Sequence, residues 1–390
     1  MGHLGWVSPL PPLPSGIADY SAELLPVLAP SLRLTLFAPT PWEASFLPTL
    51  PICPLEALPG QAVHLDGIVY HLGNNPYHAD IYPLALRFPG VVVLHDYVLH
   101  HLVARCTLEA GDPAGYLYHL AYARGRAGLA VGVRRSNGIF SEREQFLEPL
   151  NQLLLDRSRG AIVHSRWAAE RIRRHHPDLP VAVIPHHLSP YPLPHREEAR
   201  RRLGLSPDEV MVASFGFITP EKQVDLLLWA YARLRQEFPQ VRCFLVGAPA
   251  PGLDLAGWLS HLELEEVVVT GYVDMADFYR YIAACDIAVS LRYPSAGETS
   301  GALVRLLGNG KAVILPHMRQ FAEWPDGVCL KVDPGPSAGP MLLYSLRRLV
   351  ADPDLRLRLG ENARRYVTEH HALDRSAQGY LDFLARCFEL

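Results

Sequence analysis

The sequence predicts an α/β protein of two doubly wound, Rossmann-like domains in tandem, facing each other across a cleft. Three observations carry that expectation. Short apolar runs rich in Val, Ile and Leu recur along the chain. They are separated by longer stretches with helical spacing, the alternation expected of a parallel sheet covered on both faces. The alternation pauses at a proline-heavy passage, 185–194, and then starts again, and the 390 residues suit two domains better than one core.

The first half opens with an apolar run at 4–7, a proline-rich turn ending at Ser15 and Gly16, and a helix over 17–29 that repeats Ile17, Tyr20, Leu24 and Leu28 at helical spacing. Further strands are expected at 32–37, 67–72, 91–94, 160–163 and 181–184, with helical periodicity at 97–104 and 143–155. In such sheets ligands bind beyond the carboxyl ends of the strands. It is there that this half collects polar groups: His71, Asn74, Asn75 and His78 after one strand, His95 and Asp96 after the next, His164 and Ser165 after another.

The passage 185–194 reads as an interdomain linker. Beyond it, strands are expected within 209–215, 241–246, 266–270, 287–291 and 312–316, and helices over 223–236, 253–262, 275–284 and 301–307. The segment 337–390 reads as largely helical, with Asp352-Pro353-Asp354 and Leu373-Asp374 each opening a helix. The expected domains are therefore 1–187, 188–372, and a last helix, 373–390, returning to the first.

Composition narrows the function. Hydrophobic residues make up 49% and charged residues 19%, as in a globular protein, and the net charge of −4 gives no reason to expect a nucleic-acid surface. The basic residues are nearly all Arg; Lys occurs only at 222, 311 and 331. Six scattered cysteines without a CxxC pair fit reduced thiols. No leader-like segment or membrane-length apolar run is evident, so the expected setting is cytoplasmic. The Arg-rich stretches 124–135 and 196–202 are candidates for peripheral contact with anionic lipid at the inner membrane face, and solvated helix faces explain them equally well.

Several chemistries lack their pattern. GxGxxG, the P-loop, HExxH and GxSxG are absent, so a dinucleotide fingerprint, a metalloprotease helix and a hydrolase elbow are unsupported. Asp352-Pro353-Asp354 fits a helix start better than a metal-binding DxD. No metal site is expected.

Two features remain. The loop 295–301 ends a buried strand, places Glu298 where a helix begins, and continues with the small or hydroxylated Thr299, Ser300 and Gly301. A helix start presents unpaired N–H groups that can bind hydroxyls or phosphate, although a simple capped turn explains the same residues. Lys222 follows the glycine turn at Gly216 after the first strand of the second half, and an ammonium there can offset phosphate charge.

These residues, with the runs 215–222, 244–247, 270–273, 284–289 and 292–301 and the Gly310-Lys311-Ala312-Val313-Ile314 segment, resemble the donor half of family 4 glycosyltransferases. The segments 15–21, 93–96 and 163–165 resemble its acceptor half. The resemblance implies a glycosyltransferase B architecture and transfer from a nucleotide diphosphate sugar, with retention and without a metal or other cofactor. It implies a hexosyltransferase acting on a glycan, a lipid-linked or a small-molecule acceptor, as in cell-surface polysaccharide assembly.

On this resemblance Lys222 holds the diphosphate, Glu298 contacts donor-sugar hydroxyls, and His95 lies near the reacting carbon. Gly16, Gly216, Phe217, Tyr272, Val273, Thr299, Ser300 and Gly301 form the donor surroundings; Asn74, Asn75, Asp96 and His164 lie on the acceptor side. The sequence departs from the family twice. Arg305 and Leu306 stand where a second acid is expected, and Phe217 stands where the family usually has an Arg. A nucleotide-sugar epimerase of the same architecture and a non-catalytic sugar-nucleotide or glycan-binding scaffold are therefore the alternatives.

Overall fold

The computed structural model describes residues 2–39, 47 and 49–390. The chain divides into two compact units, the first of Met1–His187, Ala296–Thr299 and Leu373–Leu390, the second of Leu188–Ser295 and Ser300–Ala372.

In the first unit the chain runs β1 (His3–Val7), α1 (Gly16–Leu28), β2 (Arg33–Ala38), β3 (Ile52–Pro54), α2 (Leu58–Gln61), β4 (Gly67–Leu72), α3 (Ile81–Arg87), β5 (Val91–Leu94), α4 (His100–Cys106), α5 (Pro113–Ser136), α6 (Gln152–Arg157), β6 (Gly160–Val163), α7 (Arg166–His175) and β7 (Val181–Val183). The second follows with α8 (Arg196–Arg202), β8 (Val210–Phe215), α9 (Val224–Glu237), β9 (Val241–Val246), α10 (Leu255–His261), β10 (Val268–Val269), α11 (Met275–Ala284), β11 (Ile287–Val289), α12 (Gly301–Gly308), β12 (Ala312–Pro316), β13 (Leu330–Val332), α13 (Ala338–Ala351) and α14 (Pro353–His370). The last helix, α15 (Leu373–Phe388), belongs to the first unit.

The two sheets share one plan. The first has the order β3-β2-β1-β4-β5-β6-β7 and the second β10-β9-β8-β11-β12-β13, and every named pairing is parallel. Each opens on a central strand from which the chain winds first one way and then the other. The carboxyl ends of β1 and β8 therefore lie at the points where strand order reverses. Both faces of each sheet are covered by buried apolar clusters. β4, β5, β6, β8 and β12 are buried along their whole length, which is why they read as continuous apolar runs.

The differences from the sequence reading have local causes. The helix expected over 143–155 is a short 3-10 turn, Glu142–Phe146, followed by α6, because Pro149 has no donor and Leu150 takes a left-handed φ of 50°. Edge strands β3 and β13 are three residues long and mostly part-buried, too short to show a period. The linker is shorter than its proline content suggests. His187 donates to Glu23 (3.1 Å), and the Pro185 carbonyl accepts from Ser376 of α15, so 185–187 are built into the first unit. The segment 296–299 also groups with that unit, although the sequence reading kept it within 188–372.

Candidate functional site

In the first unit the site begins with the strand ends. The registers His71↔Val93 and Leu94↔Val163 place His71, His95 and His164 side by side at the carboxyl ends of three neighbouring strands. Their rings join: His71 Nδ1 to His95 Nε2 at 3.0 Å, His95 Nδ1 to His164 Nε2 at 3.2 Å, and His164 Nδ1 to the Ile184 carbonyl at 2.8 Å. A carbonyl only accepts, so His164 donates from Nδ1. With the rings neutral, His95 then donates from Nδ1 and His71 does the same, leaving His71 Nε2 as the buried acceptor at the chain's end.

Burial, reinforced by neighbouring imidazoles, holds His71 and His95 well below the usual histidine range. His78 donates from Nδ1 to the His71 carbonyl (3.0 Å), and burial pushes its pKa down to about 4. Tyr20 of α1 is the hub of this cluster. Its ring lies 4.4–5.9 Å from those of His71, His95, His164, His186 and His187, and its hydroxyl meets that of Tyr380 on α15 at 3.0 Å.

Sequence reasoning placed His95 beside the reacting carbon. The structure places it in the cluster, 7% exposed with both ring nitrogens on other imidazoles. His164 is likewise part of the relay. Tyr20, His186, His187 and Tyr380 were missed. The available signal was a histidine at or just after the end of each of three successive apolar strands.

The neighbouring polar residues are also fixed. Asp96 accepts from the Asn74 amide at 2.6 Å, while the Asn74 side chain donates to His101 Nδ1 (2.8 Å) and accepts from the Leu102 amide (3.1 Å). Asn75 caps the next turn through the Tyr77 amide. Gly16 starts α1 after the Ser15 cap, and a Cβ there would touch nothing within 4 Å. The absence of a side chain thus leaves open space at the helix start, where backbone donors concentrate. Of the loop residues grouped with this unit, Glu298 and Thr299 are part-buried.

In the second unit Lys222 ends a 3-10 turn, Pro220–Lys222, between β8 and α9. Its ammonium folds back to donate to the Phe215 carbonyl at 2.6 Å, at the last residue of β8. Gly216 permits this approach: its φ is +84°, and a Cβ would stand 2.8 Å from Lys222 Nζ. The other two lysines have structural tasks. Lys311 is part-buried and donates to the Ala283 and Cys285 carbonyls at the end of α11, and Lys331 pairs with Asp326. Of the three, Lys222 is the one at the carboxyl edge of a central strand.

The Tyr293 amide donates to the Glu221 carbonyl (2.7 Å), tying the loop after β11 to the turn that carries Lys222. Ser295 is buried and bonded to Gln320 (2.9 Å), which anchors that loop from below. Ser300 is the N-cap of α12, accepting from the Leu303 amide at 3.3 Å, and Gly301 is the first helical residue. The opening amides of α12 precede any intrahelical partner and are the donors such a start offers. Arg305 and Leu306 are both buried on α12, so no carboxylate stands at that part of the helix. Phe217 and Tyr272 present exposed rings, and Val273 is part-buried. Among the described residues no group of three His, Cys, Asp or Glu is placed to hold a metal ion.

The fold and these edges define the class: two Rossmann-like α/β units of the glycosyltransferase B type. Residues 195–305, which carry β8 to the start of α12, match the family described as Glycosyl transferases group 1. Among curated proteins, the D-inositol 3-phosphate glycosyltransferase of Stackebrandtia nassauensis is 38% identical over 115 residues, covering 26% of this chain and 25% of the relative. That of Streptomyces bingchenggensis is 28% identical over 240 residues, covering 57% of the chain and 52% of the relative. The chain thus spans from a quarter to about half of the length of these relatives. Among solved structures, Anabaena HepE in complex with UDP and glucose shares 17% identity at a TM-score of 0.70, over 99% of this chain and 100% of that one. WaaG, described as a glycosyltransferase of lipopolysaccharide biosynthesis, shares 17% identity at 0.68, over 98% and 99%. At that identity the likeness is one of fold.

Proposed function

We propose that the protein is a glycosyltransferase of the family 4 type, moving a hexosyl unit from a nucleotide diphosphate sugar to a glycan, lipid-linked or small-molecule acceptor. The observation that carries this reading is Lys222 folded over Gly216 at the end of β8, within the stretch that matches the group 1 glycosyltransferase family. The binding of UDP and UDP-glucose by the HepE structures supports a nucleotide diphosphate sugar as donor.

The chemical task is to stabilise a departing diphosphate and a developing positive charge on the sugar. Lys222 supplies one fixed cation, and the amides at the start of α12 supply dipoles, both in place before reaction. Glu298 orients the donor sugar through its hydroxyls. The glycosyl bond to phosphate breaks and a bond to the acceptor oxygen forms on the same face of the sugar, without a metal. Asp96 and Asn74 at the first unit's strand edge serve the acceptor. The imidazole relay gives His95 a positioning role: it holds that edge rigid, and its ring is not the group that takes the acceptor proton.

A second reading, a sugar-nucleotide-binding scaffold, is favoured by the buried Arg305 and Leu306 and by the exposed Phe217. A donor panel scored by nucleotide release and product mass separates the two. Transfer with one donor is expected, and Lys222→Ala and Glu298→Ala should each cut kcat about 100-fold or more with thermal stability retained. Full activity in both variants removes the assignment. Nucleotide binding without transfer to any acceptor favours the scaffold, and an isomeric nucleotide sugar formed without acceptor points to an epimerase.

A further inference from the structure

The Asn74 side chain is a tether with a fixed direction. Its backbone is held first. A Cβ on the preceding Gly73 would stand 2.6 Å from Ile17 Cδ1 and 3.1 Å from both Asp96 Oδ2 and His78 Nε2, so a side chain there would crowd all three. The Asn74 amide donates to Asp96 at 2.6 Å. The Leu102 backbone amide can only donate, so the Asn74 atom that meets it at 3.1 Å is Oδ1, and Nδ2 is the atom that faces His101.

That direction decides the state of an imidazole. Asn74 Nδ2 can only donate, so His101 Nδ1 accepts from it at 2.8 Å. A hydrogen on Nδ1 would meet the amide N–H head-on, and the ring therefore carries its hydrogen on Nε2. The neighbouring histidine is set the other way. His100 is buried, its Nδ1 donates to the Glu148 carbonyl (2.9 Å), and its Nε2 accepts from the Tyr116 hydroxyl (2.7 Å), so both nitrogens are used within the fold. His101 is part-buried at the start of α4, its ring set edge-on to Phe146 at 5.3 Å.

We infer that His101 contacts the acceptor, its Nε2–H donating to a hydroxyl oxygen of an uncharged sugar, and that Asn74 acts through it as a positioning residue. The inference rests on the reading of this strand edge as the acceptor side. Asp96 and His101 are joined through Asn74, so one tether presents a carboxylate that accepts from a hydroxyl and an imidazole that donates to one. A sugar offers both. The carboxylate disfavours an anion at the same place, which selects a neutral sugar over a sugar phosphate. Fixing the two groups before binding lowers the cost of ordering them.

Imidazole nitrogens report on this without turnover. In the full chain labelled with 15N-histidine, the His101 resonances are those that vanish in His101→Gln. Long-range 1H–15N correlation at pH 8 should find the His101 hydrogen on Nε2, and Asn74→Asp, whose carboxylate only accepts, should move it to Nδ1. Methyl hexosides should shift the same resonances in the parent chain. His101→Phe, which keeps a ring against Phe146, should weaken hexoside binding about three- to tenfold, whereas His101→Gln, which returns a donor near the Nε2 position, should bind within about twofold of the parent, both with thermal stability retained. A parent hydrogen on Nδ1, hexosides that leave His101 unmoved, equal affinity in His101→Phe, or a response confined to hexose phosphates each overturns the inference. Failure of transfer with every donor removes the glycosyltransferase reading instead, since sugar binding at His101 persists without turnover.

Discussion

The two units repeat one strand plan, and at opposite edges of their sheets they bury opposite chemistry. The first fills the carboxyl edge of its sheet with imidazoles, His71, His95 and His164, in a relay anchored on the Ile184 carbonyl. The second closes its opposite, amino-terminal edge with permanent charge. There the buried Arg200 donates to Asp286 (3.0 Å) and to the carbonyls of Ala284, Ser206 and Glu209, and Asp286 also accepts from the Met211 amide. Both arrangements satisfy polar atoms that burial would otherwise penalise. They differ in what solvent can change, because imidazole titrates near neutral pH whereas guanidinium does not.

Acid is therefore the largest lever on that difference. Burial depresses His71, His78, His95 and His100 in the folded chain, the second and last to about 4. Below about pH 6.5 the unfolded chain binds protons that the folded chain refuses, so their stabilisation is complete above that value and is lost as pH falls towards 4. The limiting slope is about 1.4 kcal/mol per group per pH unit, but between pH 6.5 and 5.5 the unfolded imidazoles pass only from half to about nine-tenths protonated, so each group removes about 1 kcal/mol and the four together at most about 4 kcal/mol. Hydrogen exchange followed by mass spectrometry should show the first unit losing protection at a higher pH than the second. Simultaneous loss in both units would erase the distinction.

Removing the fixed charge is the reciprocal test. Arg200→Met leaves Asp286 and three carbonyls short of a buried partner and should cost about 3–5 kcal/mol, confined to the second unit. The loss should be nearly the same at pH 8 and pH 6, in contrast to the first unit. Urea unfolding at both pH values checks it. A change of under 1 kcal/mol, or one that grows steeply with acid, would mean the clamp is not what holds this edge.

How much of this could be read in the sequence follows from the same contrast. β4, β5, β6, β9 and β12 lie where the apolar runs predicted them, because a strand buried on both faces has few polar positions to blur its limits. Asp352 was separable from a metal motif because Pro353 follows it, and it does cap α14 through the Leu355 amide at 2.8 Å. Lys222 stood out because it is one of three lysines and follows a glycine turn. The imidazole cluster was not legible as a unit. Its members lie at 20, 71, 95, 164, 186, 187 and 380, and only strand register and the docking of α15 bring them together. α5 escaped for another reason: beyond its break at Gly125 it buries Gly128 and Gly132 and exposes Leu129 and Val133, which inverts the pattern by which helices are recognised. The prolines of 185–194 misled because Pro marks irregular backbone, whether that backbone is a free linker or, as at Pro185, a buried segment.

The smallest predicted effect is the most discriminating for the proposed function. Each unit starts a helix with a serine cap after a sheet strand: Ser165 accepts from the Ala168 amide at 3.2 Å on α7, and Ser300 from the Leu303 amide at 3.3 Å on α12. As caps the two are equivalent, so Ser165→Ala and Ser300→Ala should each cost about 1 kcal/mol of stability. If the start of α12 also holds the donor, the equivalence ends there. Ser300→Ala should weaken nucleotide sugar binding about three- to tenfold by calorimetry, since fraying the first turn misaligns the amides that meet the ligand. Ser165→Ala should leave donor affinity unchanged. Equal affinities in the two variants would reduce Ser300 to the capped turn that its sequence alone suggests, and would leave Lys222 as the principal donor contact of the second unit.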